Sequence, residues 1–185
     1  MEIIDKVKSF VEDECMKPTS KYGYEPFYFH FKPVANYSAI LADALSADKE
    51  VVLLAAWLHD IGSIVHGRED HHVTGADIAE KLLKKYNYPI EKIEMVKNCI
   101  LKHRGSVRSE DMTVEEQILV EADAMSAFES IGGQFKAAFI YENKSQVEAQ
   151  ASVRRKLENK WSQLQFEQSK KLIRPKYEAM KILFG

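Results

Sequence analysis

The sequence predicts an all-α protein, on three observations. Apolar residues recur at i, i+3, i+4 and i+7 in nearly every segment between breaks. No stretch shows the Val/Ile/Thr-rich alternation of a strand. The breaks are short clusters of Pro, Gly, Asn and Tyr, with no low-complexity linker and no internal repeat. At 185 residues the chain is expected to form a single helical domain, large enough to bury a core without disulfides.

Composition narrows the function classes. Hydrophobic content of 45% and charged content of 29% are those of an ordinary globular protein. A net charge of -2 and a pI near 6.3 argue against a chain that coats nucleic acid or anionic membrane. Cys15 and Cys99 are too far apart for a CxxC zinc site and too few for a disulfide framework, so a reducing compartment, the cytoplasm, is expected. Residues Met1 to Phe10 lack the continuous apolar centre of a signal peptide. The longest apolar run, Val51 to Leu58, is far too short to cross a bilayer.

Taken in order, Ile3, Ile4, Val7, Phe10 and Val11 predict an opening amphipathic helix that ends near Cys15. Lys17 to Pro26, with two prolines and a glycine, is expected to be a loop. A stripe of His30, Val34, Tyr37, Leu41 and Ala44 follows, with Pro33 placed in the first turn and His30 at the helix start. Val51 to Gly62 predicts a buried helix ending in His59 and Asp60, followed by a short loop from Gly62 to Asp70. Val52, Ala55 or Ala56, and His59 share a face, so His59 points to the core, and Asp60 lies about 100° further round. A carboxylate beside so apolar a helix costs several kcal/mol, on the order of the usual burial penalty, unless a cation or donors compensate it.

Beyond that helix, Gly75, Ile78 and Leu82 align with His71, while Ala76, Ala79 and Leu83 align with His72, so one of the two histidines faces inward. Tyr86 to Pro89 is a break. Ile93, Val96, Ile100 and His103 then lie on one face of a helix closed by Arg104-Gly105-Ser106. Thr113 and Glu116 predict a capping box, and Asp123 falls in the stripe of Leu119, Val120 and Ala127. Gly132-Gly133 marks a turn or close packing point, Ser145 and Glu148 suggest another capped helix, and Arg174-Pro175 should kink or restart the last one.

Chemistry enters with His30, His59, Asp60 and Asp123, two imidazoles and two carboxylates aimed at one core. That set suits a divalent ion with open water positions: Mn, Fe, Co, Ni, Zn or Mg. A closed structural zinc site would more usually carry thiolates. Such an ion activates water near neutral pH and polarises a phosphoryl oxygen. His71 (or His72) and His103 would hold a second ion with Asp60 bridging, or would meet phosphate oxygens; the pattern leaves both open, and so one or two ions per chain. The plainer alternative for His59-Asp60 is a helix-terminal pair, with Asp60 solvated; His30 and Asp123 in register weigh against it.

The order of these residues resembles the HD superfamily of metal-dependent phosphohydrolases, whose motif is H…HD…D, with two more histidines between HD and D in many members. The resemblance spans roughly His30 to Lys136, and Ile118 to Met125 looks like the closing motif. It implies an all-helical fold with an HD core over about 28–136, and C-terminal helices over about 145–185 as an extension. It further implies that His30, His59, Asp60 and Asp123 are the metal ligands and that His71, preferred over His72, and His103 are the optional histidines. The expected activity is hydrolysis of a small phosphate ester, a nucleotide or related phosphorylated metabolite, with Asp60, His103 and Arg104 as catalytic residues. The alternative is a metal- or nucleotide-binding regulatory module without turnover.

Two departures bear on substrate. Many members continue HD with Ile-Gly-Lys, and nucleotidase-like members carry Glu three residues after the Asp; here Ile61-Gly62-Ser63 supplies neither. Glu69-Asp70 stands at the wrong spacing for the alarmone hydrolases, and the Gly-Tyr-Pro mark of the cyclic-di-nucleotide branch is missing. Arg104 is the first candidate for a substrate phosphate, because its planar fork suits phosphate, and Lys32 the second. Arg68 and Lys136 are further options. Tyr22, Tyr24, Phe27 and Tyr28 would wall a base or simply pack. The basic run Arg154 to Lys160 reads as a solvated helix face, and His66 as a surface residue.

Overall fold

The computed structural model describes residues 2–104 and 109–184, and among these it is helical throughout, without strands. Helix α1 spans Ile3–Met16, α2 Lys32–Leu45, α3 Lys49–Leu58 and α4 Ile61–Val65. They are followed by α5 His71–Lys85, α6 Ile90–Lys102, α7 Val114–Ser126, α8 Ile131–Lys136, α9 Gln146–Ser162 and α10 Glu167–Phe184.

Helix α3 is apolar all round, and it is buried all round, as such a helix must be. It packs against α1, α2, α5, α6 and α7, and Val51, Val52 and Leu54 to Leu58 are all buried. Asp48 caps it by accepting from the Val51 N–H at 3.2 Å. One core gathers Val7 and Val11 of α1, Leu54 and Leu58 of α3, Leu83 of α5, and Ile93, Val96 and Ile100 of α6. A second lies between α2, α7, α9 and α10, where Leu41, Ile118, Met125 and Phe128 meet Val153, Leu157, Ile173 and Met180. The C-terminal helices are thereby packed onto α7, which carries Asp123, and onto α2, which follows the residues around His30.

Several expectations need correction. Instead of a loop from Gly62 to Asp70, the chain forms α4 directly after Asp60. A Cβ on Gly62 would stand 2.2 Å from the His71 carbonyl oxygen and 2.7 Å from the Gly75 nitrogen, so only glycine lets α4 approach α5 this closely. His30 does not open a helix: it sits in a π-helical turn, Phe27–Phe31, whose last bond runs from the Lys32 N–H to the Phe27 carbonyl. Pro33, which has no N–H to give, follows that wide turn directly. Gly132 and Gly133 lie inside α8 with the turn just before it, and of the two readings it is the close packing point that holds, at Gly133, where a Cβ would stand 2.6 Å from the Ser130 hydroxyl. Helix α10 runs unbroken through Pro175, with Ile173 and Met180 buried on either side. Of the predicted closure Arg104-Gly105-Ser106, the last two residues lie outside the described ones.

Of the aromatic residues before His30, Tyr24 stacks on Phe27 and buried Phe27 on Trp57, which is packing, whereas Tyr28 is exposed. No described helix is long and apolar enough to cross a membrane.

Candidate metal centre

Four imidazoles and two carboxylates converge where α2, α3, α5, α6 and α7 meet. His59 and Asp60 occupy the two-residue junction between α3 and α4, where Asp60 leaves helical geometry at φ -110 and ψ 13. His30 comes from the π-helical turn, His71 from the first residue of α5, His103 from the end of α6, and Asp123 from the last turn of α7. Thr113 and Glu116 form the predicted capping box at the start of α7. The buried Glu116 carboxylate also holds Lys102 at 3.0 Å, which fixes the end of α6 and with it His103.

The histidines are oriented by one repeated device. Nδ1 of His59 donates to the Ala56 carbonyl at 2.8 Å, Nδ1 of His71 to the Arg68 carbonyl at 2.8 Å, and Nδ1 of His103 to the Ile100 carbonyl at 2.6 Å. A carbonyl only accepts, so each Nδ1 carries a proton, and in the neutral ring Nε2 bears the lone pair. For His30 the partner is the Ser126 hydroxyl, 3.2 Å from Nδ1, which itself donates to the Asp123 carbonyl at 2.8 Å. The hydroxyl proton being committed, Nδ1 of His30 must be the donor. All four Nε2 atoms are left facing the carboxylates.

Asp60 divides its oxygens between two pairs of histidines. Oδ2 lies 3.2 Å from His30 Nε2 and 3.8 Å from His59 Nε2, while Oδ1 lies 3.3 Å from His71 Nε2 and 3.5 Å from His103 Nε2. Asp123 Oδ1 stands 3.6 Å and 4.0 Å from the Nε2 atoms of His30 and His59. Two three-residue groups therefore share Asp60: His30, His59 and Asp60, and Asp60, His71 and His103, with the ligand atoms of each group within 4.8 Å of one another. The Nε2 atoms of His30 and His59 are 2.9 Å apart. Two lone pairs held that close repel unless a proton or a metal ion lies between them, so the donor set fits a divalent cation.

Electrostatics follow from burial. His59 is fully buried, which pushes its imidazolium down to about 4 against the attraction of Asp60. Burial would also lower His30 and His103, but the bond and charge of Asp60, with Asp123 behind it, raise both above the usual histidine value. Burial would raise the Asp60 carboxyl; His59, His103 and His30 instead hold it well below the usual carboxylate range. Asp123 is likewise driven down, by Lys160 first and then by the imidazoles, against the opposing effect of burial.

Of the residues expected at the site, His30, His59, Asp60, His71, His103 and Asp123 are brought together. His72 belongs to neither ligand group: its ring packs edge-on against that of His71, and its buried Nδ1 has no hydrogen-bond partner among the described residues. Arg104 is exposed beside His103. Lys32 is exposed too, and its ammonium lies 4.9 Å over the Tyr28 ring instead of against the carboxylates. Lys136 pairs with Glu25 at 2.7 Å on the surface. The reading of Arg154 to Lys160 as a solvated face fails at its last member, because Lys160 Nζ reaches Asp123 Oδ2 at 2.7 Å. The signal was available: Lys160 falls in register with Val153, Leu157 and Leu164, an apolar stripe in which a lysine stands out.

A protein from Clostridium beijerinckii of no assigned function is 33% identical over 101 residues, covering 52% of this chain and 62% of its own length. Ribonuclease Y from Petrotoga mobilis is 33% identical over 114 residues, 60% of this chain but only 20% of the ribonuclease. The chain thus spans less than two thirds of the length of these relatives. Among solved structures, Bacillus subtilis YpgQ in complex with ADP superposes with a TM-score of 0.76 at 17% identity, covering 97% of this chain and 90% of that one. An HD-superfamily hydrolase from Bacillus thuringiensis reaches 0.71 at 17% identity, with 97% and 92% covered. At that identity the likeness is one of fold. The model of the HD domain matches residues 27–127, more than half of the chain and every one of the six converging side chains, so the protein belongs to the HD-domain family.

Proposed function

We propose that the protein is a metal-dependent phosphohydrolase of small phosphate esters, with a nucleotide or a related phosphorylated metabolite as the leading substrate class. The observation that carries the reading is the shared orientation of four imidazoles, each fixed through Nδ1 and each presenting Nε2 to Asp60 or Asp123. An arrangement needed only for packing would not turn four ring nitrogens onto two carboxylates.

In this reading His30, His59, Asp60 and Asp123 hold the ion. When bound, a divalent ion supplies Lewis-acid polarisation of a phosphoryl oxygen and makes a coordinated water acidic near neutral pH. The protein's own groups do the rest. Asp60, with one oxygen toward each pair of histidines, is placed to orient the attacking water. His71 and His103, not needed by the first ion, would either join Asp60 around a second one or, when also protonated at Nε2, donate to phosphate oxygens. His103, whose ring faces Asp60, would serve as the proton donor to the leaving oxygen, and Arg104 at the rim would offset the charge of the phosphate. The ADP bound to YpgQ supports a nucleotide for this chain.

The test is metal analysis of the purified protein, followed by a panel of phosphoesters and nucleotides assayed with each of the candidate ions. Turnover should require added metal and should vanish in Asp60→Ala while the helical circular dichroism persists. Metal-loaded protein that hydrolyses nothing on such a panel would overturn the enzymatic reading; tight nucleotide binding in that protein would leave a regulatory module instead.

A further inference from the structure

Lys160 lies outside the matched HD residues 27–127, in the last turn of α9, yet it is part of the centre. Ala149, Val153, Leu157 and Leu164 are all buried, and Lys160 occupies the inward position between the last two. A lysine in that register loses solvation unless its ammonium finds a negative group. It finds Asp123, at 2.7 Å from Oδ2, the oxygen turned away from His30 and His59. The reach depends on how α9 is seated: Ser145 and Glu148 form a capping box at its start, Arg154 Nη1 donates to the Phe184 carbonyl of α10 at 2.9 Å, and Val153 and Leu157 enter the second core.

Two further facts give this ammonium a task beyond neutralising Asp123. Lys32 is turned onto the Tyr28 ring. The Lys160 side chain keeps 30% of its exposure, so it is not sealed behind the carboxylate, and an ammonium has three donors of which Asp123 occupies one.

On the reading of the centre given above, we propose that Lys160 is a substrate-binding cation of this protein, beside Arg104 at the rim: held at the edge of the centre by Asp123, it gives a free N–H to an anionic oxygen of a phosphate. The C-terminal helices thus add a positive charge to the site carried by the HD core.

Calorimetric titration of the full-length chain tests this, first with Mn2+ alone and then with inorganic phosphate added to the Mn2+-loaded protein. Lys160→Gln should bind Mn2+ as well as the wild type or more tightly, since a competing positive charge is gone, while its phosphate affinity falls tenfold or more. Lys160→Arg should recover most of that loss. If Lys160→Gln does not fold, Lys160→Met, which suits the apolar stripe, serves in its place. Unchanged phosphate affinity with intact Mn2+ binding overturns the proposal alone. A loss of Mn2+ affinity in the folded variant also overturns it, and makes Lys160 a support for Asp123. Wild-type protein that takes up no Mn2+ removes the centre itself and the lysine's task with it.

Discussion

Asp60 shows how much one residue decides. It sits at a helix junction with φ -110, and that departure from helical geometry is what lets one carboxylate face His30 and His59 on one side and His71 and His103 on the other. Asp60→Asn keeps the shape and removes the charge, so divalent ions should no longer raise its melting temperature, as differential scanning fluorimetry with and without Mn2+ would show. Gly62, two residues on, works by having no side chain. Gly62→Ala must push α4 off α5 and should cost about 1–3 kcal/mol, the usual range for overpacking, in urea unfolding of the metal-free protein. Unchanged stability there would mean that α4 and α5 are less closely packed than the 2.2 Å clash requires.

At the scale of elements, the helix ends do more of the positioning than the helix bodies. Thr113 accepts from the Glu116 N–H, and Glu116 in turn holds the Thr113 N–H and Lys102, so the cap of α7 and the end of α6 form one unit behind His103. Thr113→Ala should lose about 1 kcal/mol, typical of a lost N-cap. It should also weaken metal binding slightly, measured by titration. Helices α5 and α6 are tied on their outer side by Lys97 and Glu80 at 2.6 Å. The bonds from Lys84 and Lys97 lower the Glu80 carboxyl from 4.5 to about 2. A lowered carboxylate stabilises above its unfolded value and loses that contribution as pH falls toward the folded one. The melting-temperature gap between the wild type and Glu80→Gln should therefore be constant above pH 4.5 and close as the pH approaches 2. A gap that persists in acid would assign the effect to packing.

For the whole molecule, the second core makes the C-terminal helices part of the fold. Deleting α9 and α10 would bare Leu41, Ile118, Met125 and Phe128 together. We expect a chain ending at residue 144 to aggregate on size-exclusion chromatography, which is the outcome for one domain with an integral extension; a monodisperse, folded product would instead make residues up to 144 a separable unit. Metal should act on the entire fold as well. A ligand present at 100 times its Kd adds about 2.7 kcal/mol to a fold that binds it, so chelation should lower the unfolding midpoint measurably.

Much of this was legible in the sequence. Helix-period stripes indicate α1 to α3 and α5 to α7, and spacing alone indicates the caps at Thr113 and Ser145; the break between α9 and α10 falls at residues 163–166 instead of at Arg174-Pro175. The inward histidines and Asp123 were legible because a polar residue in an apolar stripe is conspicuous. Lys160 obeyed the same rule and was masked by its basic neighbours, which share its chemistry but not its face. The helical period, the stripe each ligand stands on, and therefore which side chains must enter the interior are written in the residue order. The tertiary structure alone decided how they meet: the break at Asp60, the approach of α4 to α5 at Gly62, the wide turn that carries His30, and the arrival of Lys160 from α9. The physical reason is that periodicity fixes a direction relative to one helix axis, whereas a distance between side chains on different helices depends on how those axes pack.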